Sequence, residues 1–279
     1  MRLPAPPPLD NLRCSQMGQP TMASDAPVNP YAGRHAAKDA LRHRVWASLT
    51  AAGVNVGPVW GRIPNFAGAD LAAWHLAQLP HWQAARIVKC NPDPAQIPVR
   101  LRALHDGKLV YAPVPALVQD FPFYRLDPAE LARNGVAFEL AATADGAALH
   151  GTPIAFEDMQ RIDIAVVGCV AVTRRGGRTG KGAGFADIEL GIFRELGIVD
   201  AQTPIVTTVH SLQLVDDSDI VMLDHDNPLT AIATPAELIA TGSTYRVPSG
   251  MLWDSVQPDQ FDEIPFLRRM RERLQGALP

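Results

Sequence analysis

The chain has 279 residues, of which 47% are hydrophobic and 19% are charged, which is the composition of a folded globular protein and excludes a mainly disordered one. Its 25 basic and 29 acidic residues leave a formal net charge of −4, which argues against nucleic acid as a general partner. The cysteines are Cys14, Cys90 and Cys169; their odd number and wide spacing are typical of reduced thiols and predict a cytoplasmic protein. No apolar run reaches the roughly 20 residues that span a bilayer, so we expect no membrane partner.

The chain divides into three parts by composition. Residues 1–32 are rich in Pro, Ala, Ser and Asn and have no periodicity, which predicts a disordered leader. Residues 33–245 read as one α/β domain. Residues 246–279 are more polar and are predicted to be a C-terminal tail that carries a short Arg-rich helix at 266–274.

Helices and strands alternate along the predicted domain. The predicted helices cover residues 36–52, 69–79, 97–104, 128–133 and 185–196. The predicted strands cover residues 85–90, 108–113, 162–172, 204–209 and 229–233, and the run 162–172 is the strongest buried strand. In the first helix, Leu41, Val45 and Leu49 form an apolar stripe, whereas Lys38 and Arg42 lie off it. This alternation predicts an α/β fold with a largely parallel sheet.

The most informative segment is 176–187, which reads Gly-Gly-Arg-Thr-Gly-Lys-Gly-Ala-Gly-Phe-Ala-Asp and lies between a buried strand and an amphipathic helix. Gly180, Gly182 and Gly184 let the backbone approach a ligand closely. Consecutive N–H groups in such a loop, together with the start of the next helix, can bind an anion.

Charged side chains in this segment strengthen that interpretation. Arg178 and Lys181 add positive charge, and Asp187 in the first helical turn can hold a divalent cation. A Walker A loop is excluded because Gly182 stands where Ser or Thr would follow the lysine, and the spacing G-x-G-x-G is not the dinucleotide-binding G-x-G-x-x-G. The pattern predicts a polyphosphate site; a solvated turn with surface charges is the alternative.

Several motifs of this chain resemble those of the 5-formyltetrahydrofolate cyclo-ligases, also called methenyltetrahydrofolate synthetases. The loop 176–187 is similar to their G-x-R-L-G-x-G-x-G-Y-Y-D, and Lys-x-x-Leu-Arg at 38–42 matches their N-terminal motif. Other segments look most like a divergent branch, the methenyltetrahydrofolate synthase domain-containing proteins. These segments are Arg-Ile-Pro-Asn-Phe at 62–66, Val-Lys-Cys-Asn-Pro-Asp at 88–93, Gly-Lys-Gly at 180–182, His-Asp at 225–226 and Ile-Ala-Thr-Gly at 239–242. The resemblance covers residues 34–242.

The resemblance implies a three-layer fold of the NagB/RpiA/CoA-transferase type, with helices on both faces of a mostly parallel sheet. It also implies an ATP- and Mg²⁺-dependent ring closure of 5-formyltetrahydrofolate to 5,10-methenyltetrahydrofolate. In that reaction ATP phosphorylates the formyl oxygen, the N10 amine attacks the activated carbon, and phosphate leaves.

Residue roles follow from the resemblance position by position. The implied ATP-binding residues are Lys38, Arg42, Arg178, Thr179, Gly180, Lys181, Gly182, Ala183, Gly184 and Phe185. Arg178 and Lys181 are the implied catalytic residues, because phosphoryl transfer relies on positioning and on neutralisation of oxygen charge. Asp187 and Asp226 are the implied magnesium ligands.

The substrate side departs from the family pattern. Phe185 and Ala186 replace a tyrosine pair, and the acidic residue that would hold the pterin has no secure counterpart. The predicted substrate-binding residues are Ile63, Asn65, Phe66 and Asp70. Two other functions therefore remain open: an ATP-binding paralogue with a different, for example thiamin-related, substrate, and a non-catalytic nucleotide- or RNA-associated protein. The expected assembly is a monomer or a homodimer.

Overall fold

The computed structural model describes residues 29–276; most of the predicted leader, residues 1–28, lies outside them. The strands are β1 (Ile87–Cys90), β2 (Leu109–Pro113), β3 (Phe123–Leu126), β4 (Thr152–Ile154), β5 (Ile164–Val166), β6 (Ala171–Val172), β7 (Arg178–Thr179), β8 (Ile205–Thr208), β9 (Ala231–Ala233) and β10 (Leu238–Ala240). The helices are α1 (Ala36–Ala51), α2 (Ala69–Leu76), α3 (Pro80–Ala84), α4 (Ile97–His105), α5 (Pro128–Arg133), α6 (Phe138–Ala141), α7 (Ala144–His150), α8 (Phe185–Glu195), α9 (Pro258–Glu263) and α10 (Leu267–Gly276).

Eight strands form one mixed sheet in the order β10-β9-β8-β5-β1-β2-β3-β4. The five strands from β9 to β2 run parallel to one another, and the outer strands β10, β3 and β4 are joined to the sheet by antiparallel pairing. The predicted mostly parallel α/β sheet is thus confirmed. The chain moves from β1 outward to β2 and later returns to β5 on the other side of β1. In open α/β sheets, ligands bind at such a switch point, beyond the carboxyl ends of the strands.

Helices cover both faces of the sheet, which confirms the predicted three layers. Ile164 and Val166 of β5 face a core that includes Leu76 of α2 and Val99 of α4. The residue between them, Ala165, faces the opposite core, which contains α8. This alternation follows from the two-residue period of a strand.

The predicted strand over 162–172 is wrong in its second half. The chain leaves the sheet after Val166, and Ala171–Val172 pairs instead with Arg178–Thr179 in an antiparallel hairpin. The hairpin stays buried because α1 packs on it, with Val170 and Ala171 in one cluster with Leu41. A long strand within the sheet and a short strand followed by a buried hairpin both produce a continuous apolar run, so the sequence could not distinguish them.

The buried face of α2 is formed mainly by small side chains. Leu71 and Trp74 are each 52% exposed, and the buried residues include Ala72, Ala73 and Leu76. The small alanine side chains let α2 pack against α4 and the sheet. In the described part of the chain, no helix is both long enough and apolar enough to cross a bilayer.

The segment predicted as a tail packs against the body of the protein. Helix α10 confirms the predicted Arg-rich helix, and α9 precedes it. Trp253, Ile264, Leu267 and Met270 join the same core as α8. Apolar and charged residues alternate in this segment, so its average composition is polar although one face of it is apolar.

Candidate functional site

The glycine-rich loop, residues 180–184, connects β7 to α8. Gly182 and Gly184 have φ angles of +114° and +77°, which other residues rarely adopt. A Cβ at Gly182 would lie 2.9 Å from Cβ of Tyr31, whereas a Cβ at Gly180 would meet no atom within 4 Å. Glycine is therefore required at position 182 by the path of the chain, and the space beside Gly180 is open to a ligand.

Side chains from the N-terminal part of the chain hold the carbonyl groups of this loop. Arg42 donates from Nε to the Gly180 carbonyl at 2.7 Å, and Arg34 donates from Nη1 to the carbonyls of Gly182 and Ala183 at 3.0 and 3.1 Å. In the part of the chain that the structure describes, none of the five amide N–H groups of the loop donates a hydrogen bond. Because protein N–H groups are normally paired, five such donors in one loop form a nest for an anion.

The last residues of the predicted leader contact the loop as well. Asn29 is buried and donates from Nδ2 to the Lys181 carbonyl at 3.3 Å. The ring of Tyr31 lies edge-on to Phe185, with the centroids 6.1 Å apart, and the Lys181 ammonium lies 5.8 Å from the Phe185 centroid. Asn29 and Tyr31, which the sequence placed in the leader, therefore pack against the loop.

Two cavities meet at the loop. Cavity B, of about 170 Å³, is lined by Lys38, Arg42, the loop glycines, Asp187 and Asp226. The structure therefore brings the predicted N-terminal cations and the predicted metal ligands to one cavity beside the loop. Lys38 and Arg42 are buried although they lie off the apolar stripe of α1, because their charges are neutralised by carboxylates.

A buried network fixes Asp187 at the start of α8. Its Oδ1 atom accepts hydrogen bonds from the backbone N–H and Nδ2 of Asn227 at 3.0 and 2.8 Å, and it forms an ion pair with Arg178. Arg178 is 3% exposed and donates from Nε to the Asn227 carbonyl at 2.6 Å. Burial lowers the pKa of Arg178, but Asp187 raises it, and the net shift is upward. Arg178 is therefore charged and rigidly held.

Asp226 is the second carboxylate of cavity B. It forms an ion pair with Lys38, and its Oδ2 atom accepts the N–H of Leu223 at 2.7 Å. Burial raises the pKa of Asp226, but Lys38 and the hydrogen bonds lower it more, so that the net shift is downward. Asp226 is therefore ionised at neutral pH.

Asp187 and Asp226 fit a magnesium ion that is shared with phosphate. Mg²⁺ takes oxygen ligands and usually binds through one or two carboxylates, with substrate phosphates and water as the other ligands. Within residues 29–276 no group of three or more potential protein ligands converges. A metal ion here would accordingly depend on ligand phosphate oxygens for part of its coordination.

Cavity A, of about 310 Å³, lies on the other side of the loop. It lies at the switch point of the sheet, since Asp93 follows β1 and Gly168 follows β5, and both line it. Its walls combine apolar residues with charged ones. The apolar wall residues include Ile63, Val114, Leu117 and Phe185, and the charged ones include Asp93, Arg178, Lys181, Asp187 and Glu189.

Both cavities share Gly180, Gly184 and Asp187. Two ligands, one in each cavity, would therefore meet at the loop. This geometry suits the transfer of a group from one ligand to the other, with the loop amides and Lys181 beside the group in transit.

The sequence did not identify Lys89, Asp93 or Glu189 as site residues. Lys89 and Glu189 form a fully buried ion pair with Nζ and Oε2 2.5 Å apart, and Lys89 also donates to Oδ1 of Asn91 at 2.5 Å. Burial raises the pKa of Glu189. Two signals could have found them: charged residues inside the apolar stretches of β1 and α8, and an acidic residue just beyond the carboxyl end of a parallel strand.

Of the four predicted substrate-binding residues, Ile63 lines cavity A. Asn65 accepts the N–H of Phe66 through its own side chain, and Phe66 is buried in a small cluster with helix α2. Asp70 is exposed in the first turn of α2. Neither cavity wall includes Asn65, Phe66 or Asp70. The predicted Thr179 is also buried, and its hydroxyl finds no hydrogen-bond partner among the described residues.

The two described cysteines do not offer a nucleophile. Cys90 and Cys169 are free thiols and fully buried. Burial raises the pKa of both, to about 11 for Cys90, so that these thiols are neutral at physiological pH.

A family model of the 5-formyltetrahydrofolate cyclo-ligase family matches residues 34–235. The methenyltetrahydrofolate synthase domain-containing protein of Mus musculus is 36% identical over 242 residues, which are 86% of this chain and 64% of that protein. The protein of the same name from Homo sapiens is 34% identical over 86% of this chain and 63% of its own length. The chain thus spans a little under two thirds of the length of these relatives.

Solved structures with a similar outline include an Aquifex aeolicus 5,10-methenyltetrahydrofolate synthetase, with 19% identity and a TM-score of 0.47 over 75% of this chain and 95% of that one. A 5,10-methenyltetrahydrofolate synthetase from Mycoplasma pneumoniae has 13% identity and a TM-score of 0.41 over 71% of this chain and 98% of that one.

Proposed function

The chain belongs to the 5-formyltetrahydrofolate cyclo-ligase family, and from this premise we propose that it closes the ring of 5-formyltetrahydrofolate to 5,10-methenyltetrahydrofolate at the expense of Mg²⁺-ATP. One observation carries the proposal: the five loop amides, which donate no hydrogen bond to any acceptor within residues 29–276, lie where two cavities meet. Cavity B offers the cations and carboxylates that a nucleotide polyphosphate requires. Cavity A offers a larger, partly apolar space for the second substrate.

The phosphoryl group of ATP would lie against the loop amides and Lys181. In the reaction, the formyl oxygen bonds to the γ-phosphorus and ADP leaves. N10 then bonds to the formyl carbon and releases its proton to water, and phosphate leaves with the former formyl oxygen. Charge develops on phosphoryl oxygens during the transfer, and fixed N–H dipoles and an ammonium group stabilise it without reorganisation. Arg178 contributes by holding Asp187 in place, and no nucleophilic side chain is required.

Lys38 and Arg42 would contribute to the binding of ATP from α1. Arg42 supports the loop through the Gly180 carbonyl, and Lys38 forms an ion pair with Asp226. A magnesium ion held by Asp187 and Asp226 would supply further neutralisation of phosphate charge. Such an arrangement requires Lys38 to move from Asp226 toward the phosphates.

Asp93 is the group in cavity A best suited to orient a reduced folate. The pterin ring presents neighbouring N–H donors, and a carboxylate accepts two parallel hydrogen bonds from such a pair. Ile63 and Phe185 supply apolar wall for the ring. Asp93 would thus be the acidic residue that holds the pterin, a role for which the sequence had no secure counterpart.

An absorbance assay tests the proposal directly. Full-length protein with 5-formyltetrahydrofolate and Mg²⁺-ATP should produce the near-ultraviolet absorbance of the methenyl product. Lys181→Ala should lose most of this rate, whereas Arg133→Ala, a matched loss of a cation on an exposed helix surface, should retain it. The absence of signal at high protein concentration would reject the folate reaction, and retained ATP binding would then favour a different second substrate.

We further propose a cytoplasmic location, since Cys90 and Cys169 are free thiols, and an assembly no larger than a homodimer.

A further inference from the structure

The C-terminal segment Gly250–Gln260 completes cavity B, although it lies beyond the family match at residues 34–235. Met251, Leu252, Ser255, Val256 and Gln257 line this cavity together with the loop and α1. These largely apolar and amide side chains contrast with the charged ones elsewhere in the cavity wall, which include Lys38, Arg42, Asp187 and Asp226. Leu252 is 42% exposed and so has apolar surface to offer.

Several contacts hold this segment against the loop and α8. Gln260 is buried and donates from Nε2 to the carbonyl of Ala183 in the loop at 2.6 Å. Asp259 forms an ion pair with Arg34, which itself holds two loop carbonyls. The segment and the loop therefore form one connected unit.

The beginning of the segment is anchored in a different way. The N–H of Met251 donates to Glu195 at the end of α8 at 3.0 Å. A Cβ at Gly191 would lie 2.8 Å from Sδ of Met251, so the glycine on α8 lets the segment pack closely. Trp253 is buried in the core with α8. These anchors fix the segment in register with the cavity.

We propose that this C-terminal segment binds the nucleoside of the nucleotide, with Leu252 and Val256 against the base, while the loop, Lys38 and Arg42 bind the phosphates. This inference rests on the proposed nucleotide site and extends it to residues that the family match does not reach. A flat heteroaromatic base gains affinity from aliphatic contact, and Gln257, which donates from Nε2 to the Ser255 carbonyl at 3.1 Å, has a second N–H for the edge of the base.

Binding of ATP and of inorganic tripolyphosphate, both with Mg²⁺, separates the two halves of the site. The protein should bind ATP at least tenfold more tightly than tripolyphosphate, and isothermal titration calorimetry measures both. The double variant Leu252→Ser/Val256→Ser should bind ATP roughly tenfold more weakly, because it loses aliphatic contact with the base, and should bind tripolyphosphate as before. Leu149→Ser is the matched control, since Leu149 is 74% exposed and lies outside both cavities.

The outcomes distinguish this inference from the proposed function. Equal affinity of the wild-type protein for ATP and tripolyphosphate, or unchanged ATP affinity in the double variant, would overturn the nucleoside site and leave the phosphate site intact. Loss of affinity for both ligands in the double variant would also overturn it, since the effect would then lie in the loop. Selective loss of ATP affinity without folate turnover would support the inference and reject the folate reaction.

Discussion

Removal of one partner from the buried pair of Lys89 and Glu189 should strongly destabilise the protein. Their side chains are 0% and 3% exposed, and the charged atoms are 2.5 Å apart, so neither charge reaches water. Lys89→Met leaves an uncompensated buried carboxylate, which costs about 3–5 kcal/mol of unfolding free energy. In the double variant Lys89→Met/Glu189→Leu both charges are gone, and most of that loss should be recovered.

The loss of unfolding free energy in Lys89→Met should increase with pH. Burial already raises the pKa of Glu189 from its ordinary value of 4.5, and loss of Lys89 should raise it further. An acid whose pKa is raised by folding does not lower the free energy of unfolding while it is protonated in both the folded and the unfolded state. It lowers that free energy progressively as the pH rises above the pKa of the unfolded state. The deficit of the variant should therefore be smaller at pH 5 than at pH 8.

Urea denaturation followed by circular dichroism measures these free energies. Arg268→Met is the matched control, because Arg268 and Asp262 form an ion pair with side chains 63% and 70% exposed, and such pairs contribute at most about 1 kcal/mol. If Lys89→Met lowers the free energy of unfolding no more than Arg268→Met does, the pair of Lys89 and Glu189 is solvated, and its burial as described above is incorrect.

Three further predictions concern the loop and its neighbours. Lys181→Ala should weaken ATP binding by about tenfold or more in calorimetry, since a charge-assisted contact is lost, with little change in Tm. Gly182→Ala should lose about 1–3 kcal/mol of stability in thermal denaturation because of its φ of +114° and the contact with Tyr31, whereas Gly180→Ala, which meets no atom within 4 Å, should fold normally. Lys38→Met should remove stability that the pair with Asp226 provides above the unfolded pKa of about 3.8; because Lys38 lowers the pKa of Asp226, this deficit should shrink as pH falls below that value in urea titrations.

Each of these predictions has an outcome that contradicts it. Unchanged ATP affinity in Lys181→Ala would remove that residue from the site. Equal stability of the two glycine variants would mean that the loop does not follow the path described here. A Lys38→Met deficit that is independent of pH would show that Asp226 does not depend on Lys38 for its ionisation.

Local signals in the sequence were sufficient for much of the fold. Helix α1, strands β1 and β2, and helix α8 follow from apolar periodicity and lie within a few residues of their predicted bounds. The course of residues 162–172 could not be predicted, because a strand within the sheet and a hairpin under α1 bury the same apolar residues.

The site shows the same limit. The glycine loop and its cations form a local motif, so they could be predicted as a site from the sequence alone. The burial of Lys38 could not be read from its helix, because its partner Asp226 is 188 residues away. Asp93 was not predicted for the same reason: its place in the wall of cavity A depends on which strands become neighbours at the switch point.

Nuclear magnetic resonance of protein labelled with ¹⁵N-glycine offers the most direct view of the central claim. On titration with Mg²⁺ and a non-hydrolysable ATP analogue, the amide signals of Gly180, Gly182 and Gly184 should shift strongly, because these N–H groups gain phosphate acceptors. Those of Gly53 and Gly107, which are exposed and outside both cavities, should stay in place. Stationary signals from the three loop glycines at saturating nucleotide would contradict the account.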